Sequence, residues 1–247
     1  MFNFFLENSD SQSEKYYVSG SDYNHIKNVL RMKVGDKLLI STRNMSNLCE
    51  IESFTDTDVI VKVIERNYQD TSLPIKIYLF QGLPKSDKLE LIIQKAVELG
   101  VSIIIPTDTS RSIVKIEEKK KESKTERWQK IAESAAKQSK CSSIPEVLSP
   151  INFKNALELA KEMDLFLVPY ENAEKMFATK TALNKIKSGM KVGVFIGPEG
   201  GFEDSEIEKL KEIGAEIISL GKRVLRTETA SITALSMLML YSEMNLN

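Results

Sequence analysis

One histidine, two cysteines and one tryptophan stand among 247 residues. Cys49 and Cys141 make no metal-ligand spacing, and His25 alone offers no imidazole cluster, so no metal site is expected and the thiols read as reduced cytosolic cysteines. Glycine and proline are also sparse, 11 and 7 residues, and no repeat or low-complexity tract interrupts the chain. That composition excludes collagen-like and disordered classes. Neither sign of charge dominates: 34 Lys and Arg against 35 Asp and Glu leave a net charge of −1, which withholds the overall basic footprint of many nucleic-acid binders. Long hydrophobic runs are missing too. The apolar stretch 232–241 falls short of the roughly 20 residues that span a bilayer. Residues 1–10 carry neither a basic region nor an apolar core, so no secretory signal or membrane anchor is expected and a soluble cytoplasmic protein is.

What the chain does contain is 42% hydrophobic and 28% charged residues, enough to bury a sizeable core in one large domain or two smaller ones. Residues 1–70 hold β-branched, alternating runs at 37–40 and 58–64, with turn signals at Gly35-Asp36 and 55–58. A small β-barrel is expected there. The segment His25–Arg31 reads as a short helix whose Ile26, Val29 and Leu30 fall at helical spacing for the core. Thr71–Pro74 reads as a linker, and the expected domains are residues 1–72 and 73–247.

Beyond the linker, apolar strands alternate with amphipathic helices. Strands are expected at 75–81, 102–105 (stopped by Pro106), 165–169, 190–196 and 215–220, and helices at 88–99, 118–138, 153–163, 205–213 and 229–243. Such alternation implies a mostly parallel sheet covered on both faces, an α/β domain. Between Arg111 and Lys140 ten basic residues face five acidic ones. From charge alone this is a solvated helix face first and a nucleic-acid track second.

Two loops concentrate the polar chemistry. Gly197-Pro-Glu-Gly-Gly-Phe202 follows an apolar strand and precedes a helix, which places its glycines at the carboxyl edge of a parallel sheet, where α/β ligands bind. Neither phosphate-loop pattern is present there, and a plain tight turn fits as well. The second loop, Leu220-Gly-Lys-Arg-Val-Leu-Arg-Thr-Glu-Thr-Ala230, runs into the last helix. Thr227 or Thr229 can cap that helix. Capping leaves Arg223, Arg226 and Glu228 unaccounted for, and two guanidiniums with a carboxylate suit a nucleotide and an anionic intermediate.

These two loops together resemble the ribosomal RNA small subunit methyltransferase E family, the uridine-N3 methyltransferases of the SPOUT superfamily. Three further segments agree in order along the chain: His25–Arg31 with Val34-Gly-Asp36, Lys85–Glu90 through Gln94–Gly100, and Arg127–Ile131 through Gln138-Ser139. The resemblance implies a PUA-like β-barrel that binds RNA, followed by a SPOUT-type α/β domain tied into a C-terminal trefoil knot. It also implies S-adenosylmethionine as cofactor, 16S rRNA as substrate, within the 30S subunit, and a homodimer. Cofactor contacts are implied at Ile196, Gly197, Pro198, Glu199, Gly200, Gly201, Leu220, Gly221, Val224, Leu225, Arg226 and Thr227, with Leu79 and Gly82 adding part of the pocket. RNA contacts are expected at His25, Arg31, Lys85, Arg111 and Gln138. Asn3 and Cys141 depart from the family pattern, which often has arginines there.

The N3 of uracil is a poor nucleophile while protonated, so the reaction needs the proton removed and the anion stabilised. Arg226 or Arg223 is the candidate for stabilisation, and Glu228 or Glu199 for orienting the base or accepting the proton. Glu228 reads equally well as the ion-pair partner of an arginine. Trp128 reads as a core anchor before a stacking platform. Two other functions remain open at this stage: methylation of a different RNA, and an RNA-binding assembly factor that has kept the fold without catalysis.

Overall fold

The computed structural model describes residues 1–6, 9–42, 45–68, 70–170 and 175–246. It divides into two units, residues 1–72 with 136–143 and residues 73–135 with 144–247. The division is thus not a single cut at the 71–74 segment, because a short piece from the middle of the chain groups with the first unit.

The first unit contains β1 (Asn3–Phe5), β2 (Lys15–Ser19), α1 (Gly20–Asn24), a π-helical turn (His25–Val29), β3 (Lys37–Thr42), β4 (Met45–Phe54) and β5 (Asp58–Glu65). The sheet order is β1-β3-β4-β5-β2, with β1 parallel to β3 and the other pairs antiparallel. Period-2 alternation sends Tyr16 and Val18 of β2 and Val59 and Val61 of β5 inward, where they meet Ile26, Leu38, Ile40 and Ile51. Helical spacing misled at one position. Val29, expected in the core, is 67% exposed while Ile26 is fully buried, because the π turn widens the repeat and rotates residue 29 away from the face that residue 26 occupies. Asn3 donates its side-chain amide to the Cys141 carbonyl at 3.0 Å and accepts from Ser41 at 3.0 Å, so this position serves packing within the unit.

The second unit begins with β6 (Lys76–Gly82), α2 (Lys88–Glu98), β7 (Val101–Asp108) and α3 (Glu118–Ser139), whose last residues belong to the first unit. It continues with β8 (Glu146–Val147), β9 (Ile151–Asn152), α4 (Phe153–Ala160), β10 (Leu165–Pro169), α5 (Lys175–Leu183) and β11 (Lys191–Ile196). The last elements are α6 (Asp204–Glu212), β12 (Glu216–Ile218) and α7 (Thr227–Asn245). All pairings in this sheet are parallel, in the order β12-β10-β11-β6-β7-β8 with β9 also on β7. The domain is α/β with a parallel sheet. Helix α5 and the short strands β8 and β9 have no counterpart among the elements expected from the sequence, and α4 ends at Ala160, before the expected 163.

Pro106 does not stop β7. Its missing N–H lies on the side of β7 that faces β8 and β9, as the alternation of the Ile104 and Thr107 carbonyls shows. Those partners reach only residues 103–104 and 107–108. The rung after the Leu148 N–H to Ile104 carbonyl bond would need an N–H at 106, so the ladder breaks there, while β7 runs on through its pairing with β6 on the other side.

The core near the glycine loop is aromatic. Phe80, Phe166 and Phe195 come from three neighbouring strands, and Phe202, 2% exposed, packs edge-on to Phe195 with centroids 4.9 Å apart. Phe202 thereby pins the end of the Gly197–Phe202 loop to the strand that launched it.

Candidate functional site

The carboxyl ends of β10, β11 and β12 open onto a cavity of about 520 Å³, within the size range of small-molecule sites. Its walls are Pro169-Tyr170, the stretch Ile196–Phe202, the stretch Ser219–Gly221, the stretch Arg223–Thr227, Ala230 and Arg111. The first loop is shaped by close approach. A Cβ on Gly82 would stand 2.6 Å from the Pro198 ring and backbone nitrogen, so β6 abuts the loop where only glycine fits. Gly221, with φ of +116°, turns the second loop through a region that side chains rarely enter.

Behind the cavity a buried polar network ties both loops to β6. Thr227 Oγ1 donates to the Gly197 carbonyl at 2.7 Å and accepts from Gln81 Nε2 at 3.0 Å. Ser231 Oγ donates to Gln81 Oε1 at 2.5 Å, and Gln81 Nε2 also reaches the Gly82 carbonyl at 3.0 Å. Every buried group in this set finds a partner, which specifies one arrangement of the loops. It also changes the role expected of the threonines: the N-cap of α7 is Arg226 without a side-chain cap bond, and the Thr227 hydroxyl is spent on the neighbouring loop.

A second set of contacts holds the glycine loop from outside. Glu199 accepts from Lys88 Nζ at 2.9 Å and from the Lys85 N–H at 3.1 Å, and Lys88 stands 3.6 Å from Glu228. Partial burial opposes ionisation of Glu199, but the Lys88 hydrogen bond, its own and the Lys85 N–H groups and the ammonium charge outweigh it and hold the carboxyl below its usual range. The hydrogen bond with Glu199 in turn raises Lys88. On the far side, Arg111 Nη1 donates to the Gly200 carbonyl at 3.0 Å. Glu206, buried and closing the capping box of α6, accepts from the Ser110 N–H at 2.9 Å, which clamps the loop after β7 alongside.

Most residues singled out in the two loops meet here. Ile196, Gly197, Pro198, Glu199, Gly200, Gly201, Leu220, Gly221, Val224, Leu225, Arg226 and Thr227 line the cavity, as do Arg223 and Arg111. Leu79 and Gly82 do not: Leu79 is fully buried in β6 and Gly82 is backed against Pro198. Glu228 lies outside the lining as well. Its ion-pair partner is Lys88, in place of the arginine weighed from the sequence, and its Oε2 is buried without a hydrogen bond among the described residues. Lys85 meets the site through its backbone. His25, Arg31 and Gln138 belong to the first unit and are exposed.

Several residues were missed. Tyr170 follows the end of β10, a position at the carboxyl edge of a parallel strand that the strand assignment already marked, and its hydroxyl donates to Asp204 at 3.1 Å. Gln81 and Ser231 are polar residues inside apolar runs, the usual trace of a buried network. Lys88 opens α2, where the helix dipole disfavours a cation. A lysine there needs carboxylates, and it has two.

The chain is similar to known proteins along nearly its whole length. Residues 71–239 match the family model of the RNA methyltransferase domain, and residues 18–64 that of the RNA methyltransferase PUA domain. The ribosomal RNA small subunit methyltransferase E of Bacillus subtilis (strain 168) is 37% identical over 251 residues, 99% of this chain and 98% of that protein. The chain belongs to the ribosomal RNA small subunit methyltransferase E family.

Within that family, the Mesomycoplasma hyopneumoniae (strain 232) protein is 33% identical, over 96% of this chain and 98% of its own. The crystal structure of a ribosomal RNA small subunit methyltransferase E from Neisseria gonorrhoeae, bound to S-adenosyl methionine, superposes with a TM-score of 0.80 at 26% identity, covering 97% of each chain. A Legionella pneumophila structure in complex with the same cofactor gives a TM-score of 0.79 at 32% identity, again over 97% of each chain. The PUA-like and RNA methyltransferase domains are thus features of the family and of this chain alike.

Proposed function

We propose that this protein methylates the N3 position of a uridine in 16S rRNA of the small ribosomal subunit, with S-adenosylmethionine as the methyl donor. The observation that carries the reading is the cavity at the carboxyl edge of the sheet, with glycine loops for walls and Arg111, Arg223 and Arg226 around it. Glycine backbones give a nucleoside room to lie close, and the loop carbonyls and N–H groups suit its polar edge. The residues present therefore fit the cofactor. When bound, S-adenosylmethionine supplies an already activated methyl group. The chain supplies alignment, which can lower such a barrier by roughly 7–11 kcal/mol.

Arg226 and Arg223 make no ion pair among the described residues, so their charge is free to stabilise the uracil anion that forms as N3 loses its proton. Glu199 is already committed to Lys88 and the Lys85 N–H, which suits holding the loop better than accepting a proton. Glu228 lies outside the cavity lining with its Oε2 3.6 Å from Lys88, which suits an ion-pair role as well as orienting the base. Cofactor contacts are assigned to Ile196–Gly201, Leu220, Gly221 and Val224–Thr227.

The finer architecture follows the same reading. A trefoil knot near the two cavity loops and a barrel in residues 1–72 are carried over from the family resemblance, the second onto a five-stranded sheet whose edges are β1 and β2. That unit, with His25, Arg31 and Gln138, is assigned to RNA, together with Lys85, Arg111 and the lysines of α3. A homodimer is supported by the half-exposed apolar end of α7, where Leu240 is 48% and Met244 73% exposed. The setting is the cytoplasm, and the RNA is presented in the 30S subunit.

The test incubates the purified protein and labelled S-adenosylmethionine with 30S subunits from cells lacking the enzyme, then identifies the methylated nucleoside by mass spectrometry. The expected product is 3-methyluridine at a single position. Transfer to tRNA instead would replace the substrate in this reading, and cofactor binding without transfer to any RNA would replace catalysis by an assembly role.

A further inference from the structure

Lys88 is the first residue of α2 and reaches two elements that the chain brings in much later. Its Nζ lies 2.9 Å from Glu199 Oε1 in the glycine loop and 3.6 Å from Glu228 Oε2 in the first turn of α7. The lysine side chain is 33% exposed, Glu199 26% and Glu228 16%, so the three groups are screened less than an open surface pair. Glu228 Oε2 has no hydrogen bond among the described residues, which leaves Lys88 as its compensating charge. Neither Lys88 nor Glu228 lines the cofactor cavity. The ammonium thus stands at the back of the wall, with one carboxylate from each of the two structures that form it.

We propose that Lys88 is a positioning residue for the cofactor cavity: by holding Glu199 and Glu228 at once, its ammonium keeps the loop after β11 docked against the start of α7 before any ligand arrives. The inference rests on the functional reading only for the identity of the ligand. Two carboxylates sharing one cation cannot both be satisfied without it, and the glycine loop has little else to hold it from this side beyond the Lys85 N–H. A loop held in its binding conformation in advance avoids the ordering cost of binding. The same geometry separates Lys88 from the reaction itself, because it reaches the cavity only through Glu199.

The experiment compares wild type with Lys88→Met, which keeps the apolar stem, and Lys88→Arg, which keeps the charge. In each, S-adenosylmethionine affinity is measured by calorimetry and backbone exchange of residues 197–203 by mass spectrometry without ligand. Lys88→Met is expected to bind roughly tenfold more weakly and to exchange faster in that segment, with Lys88→Arg restoring both. In steady state the loss is expected in KM for the cofactor more than in kcat. Should Lys88→Met fold poorly, Glu228→Gln provides the second reading, with a smaller loss in the same direction. Wild-type affinity and unchanged exchange in Lys88→Met would overturn the proposal. If wild type itself bound no S-adenosylmethionine, the functional reading would fall, and exchange in the ligand-free protein would still decide whether Lys88 holds the loop.

Discussion

Thr227 shows how one side chain can do work that its position in the sequence disguises. A threonine at the start of a helix ordinarily caps it, but here the hydroxyl sits between Gln81 and the Gly197 carbonyl. Thr227→Val is expected to leave two buried groups unpaired and to lower stability by about 1–3 kcal/mol, read from urea denaturation. Arg226→Ala concerns chemistry instead. It is expected to reduce kcat by about 10²–10³ while the protein melts as wild type does. Unchanged turnover would remove Arg226 from the reaction. Cys49 is a third case: burial pushes its thiol up to about 12, so it is expected to resist alkylation at pH 8 until the protein is unfolded, as a thiol-reactive dye with and without denaturant would show.

Among the elements, the junction of β6 with the glycine loop has the narrowest tolerance. Gly82→Ala would set a Cβ 2.6 Å from backbone and ring atoms of Pro198, and since the obstacle is not a flexible side chain the loop itself must shift. A loss of S-adenosylmethionine affinity with the domain still folded is the expected outcome, seen by calorimetry beside circular dichroism. The ion pair that closes the loop from outside has a defined pH window. Glu199 is held below its ordinary 4.5, so its contribution is complete above that value and lost as pH falls through the lower folded value. Lys88 is raised above 10.5, so its contribution is complete below that value and lost only as pH rises through the folded one. A double-mutant cycle between Lys88→Met and Glu199→Gln should therefore give the same coupling at pH 6 and pH 9.

For the whole molecule, net charge of −1 conceals an uneven distribution. The basic stretch at the start of α3 is partly neutralised: Glu117, just before the helix, pairs with Lys119 and Lys120, and Glu118 with Lys121. Further along, Lys130 is exposed and makes no ion pair among the described residues. If the track meets RNA phosphates, Lys130→Ala should reduce the slope of log affinity against log salt by roughly 0.7–0.9 without altering which uridine is modified. Filter binding across a salt series measures it. Trp128 takes no part in that contact, since it is 4% exposed and anchors α3 to the core.

Much of this protein is settled locally and is legible in one dimension. Alternation over 58–64, the apolar strands at 165–169 and 191–196 and the glycine loop between β11 and α6 follow from side-chain periodicity and from glycine's conformational freedom, which need no distant partner. The two loops that form the cavity are legible for the same reason. What the chain alone could not decide depends on residues far apart in it: that Pro106 faces a gap in the ladder, that a π turn moves Val29 outward, and that Leu79 lies beneath the site. Glu228 meets Lys88 and Gln81 meets Thr227 and Ser231 across 140, 146 and 150 positions. Such pairings have no sequence period, because they are set by which strand ends the parallel sheet places side by side.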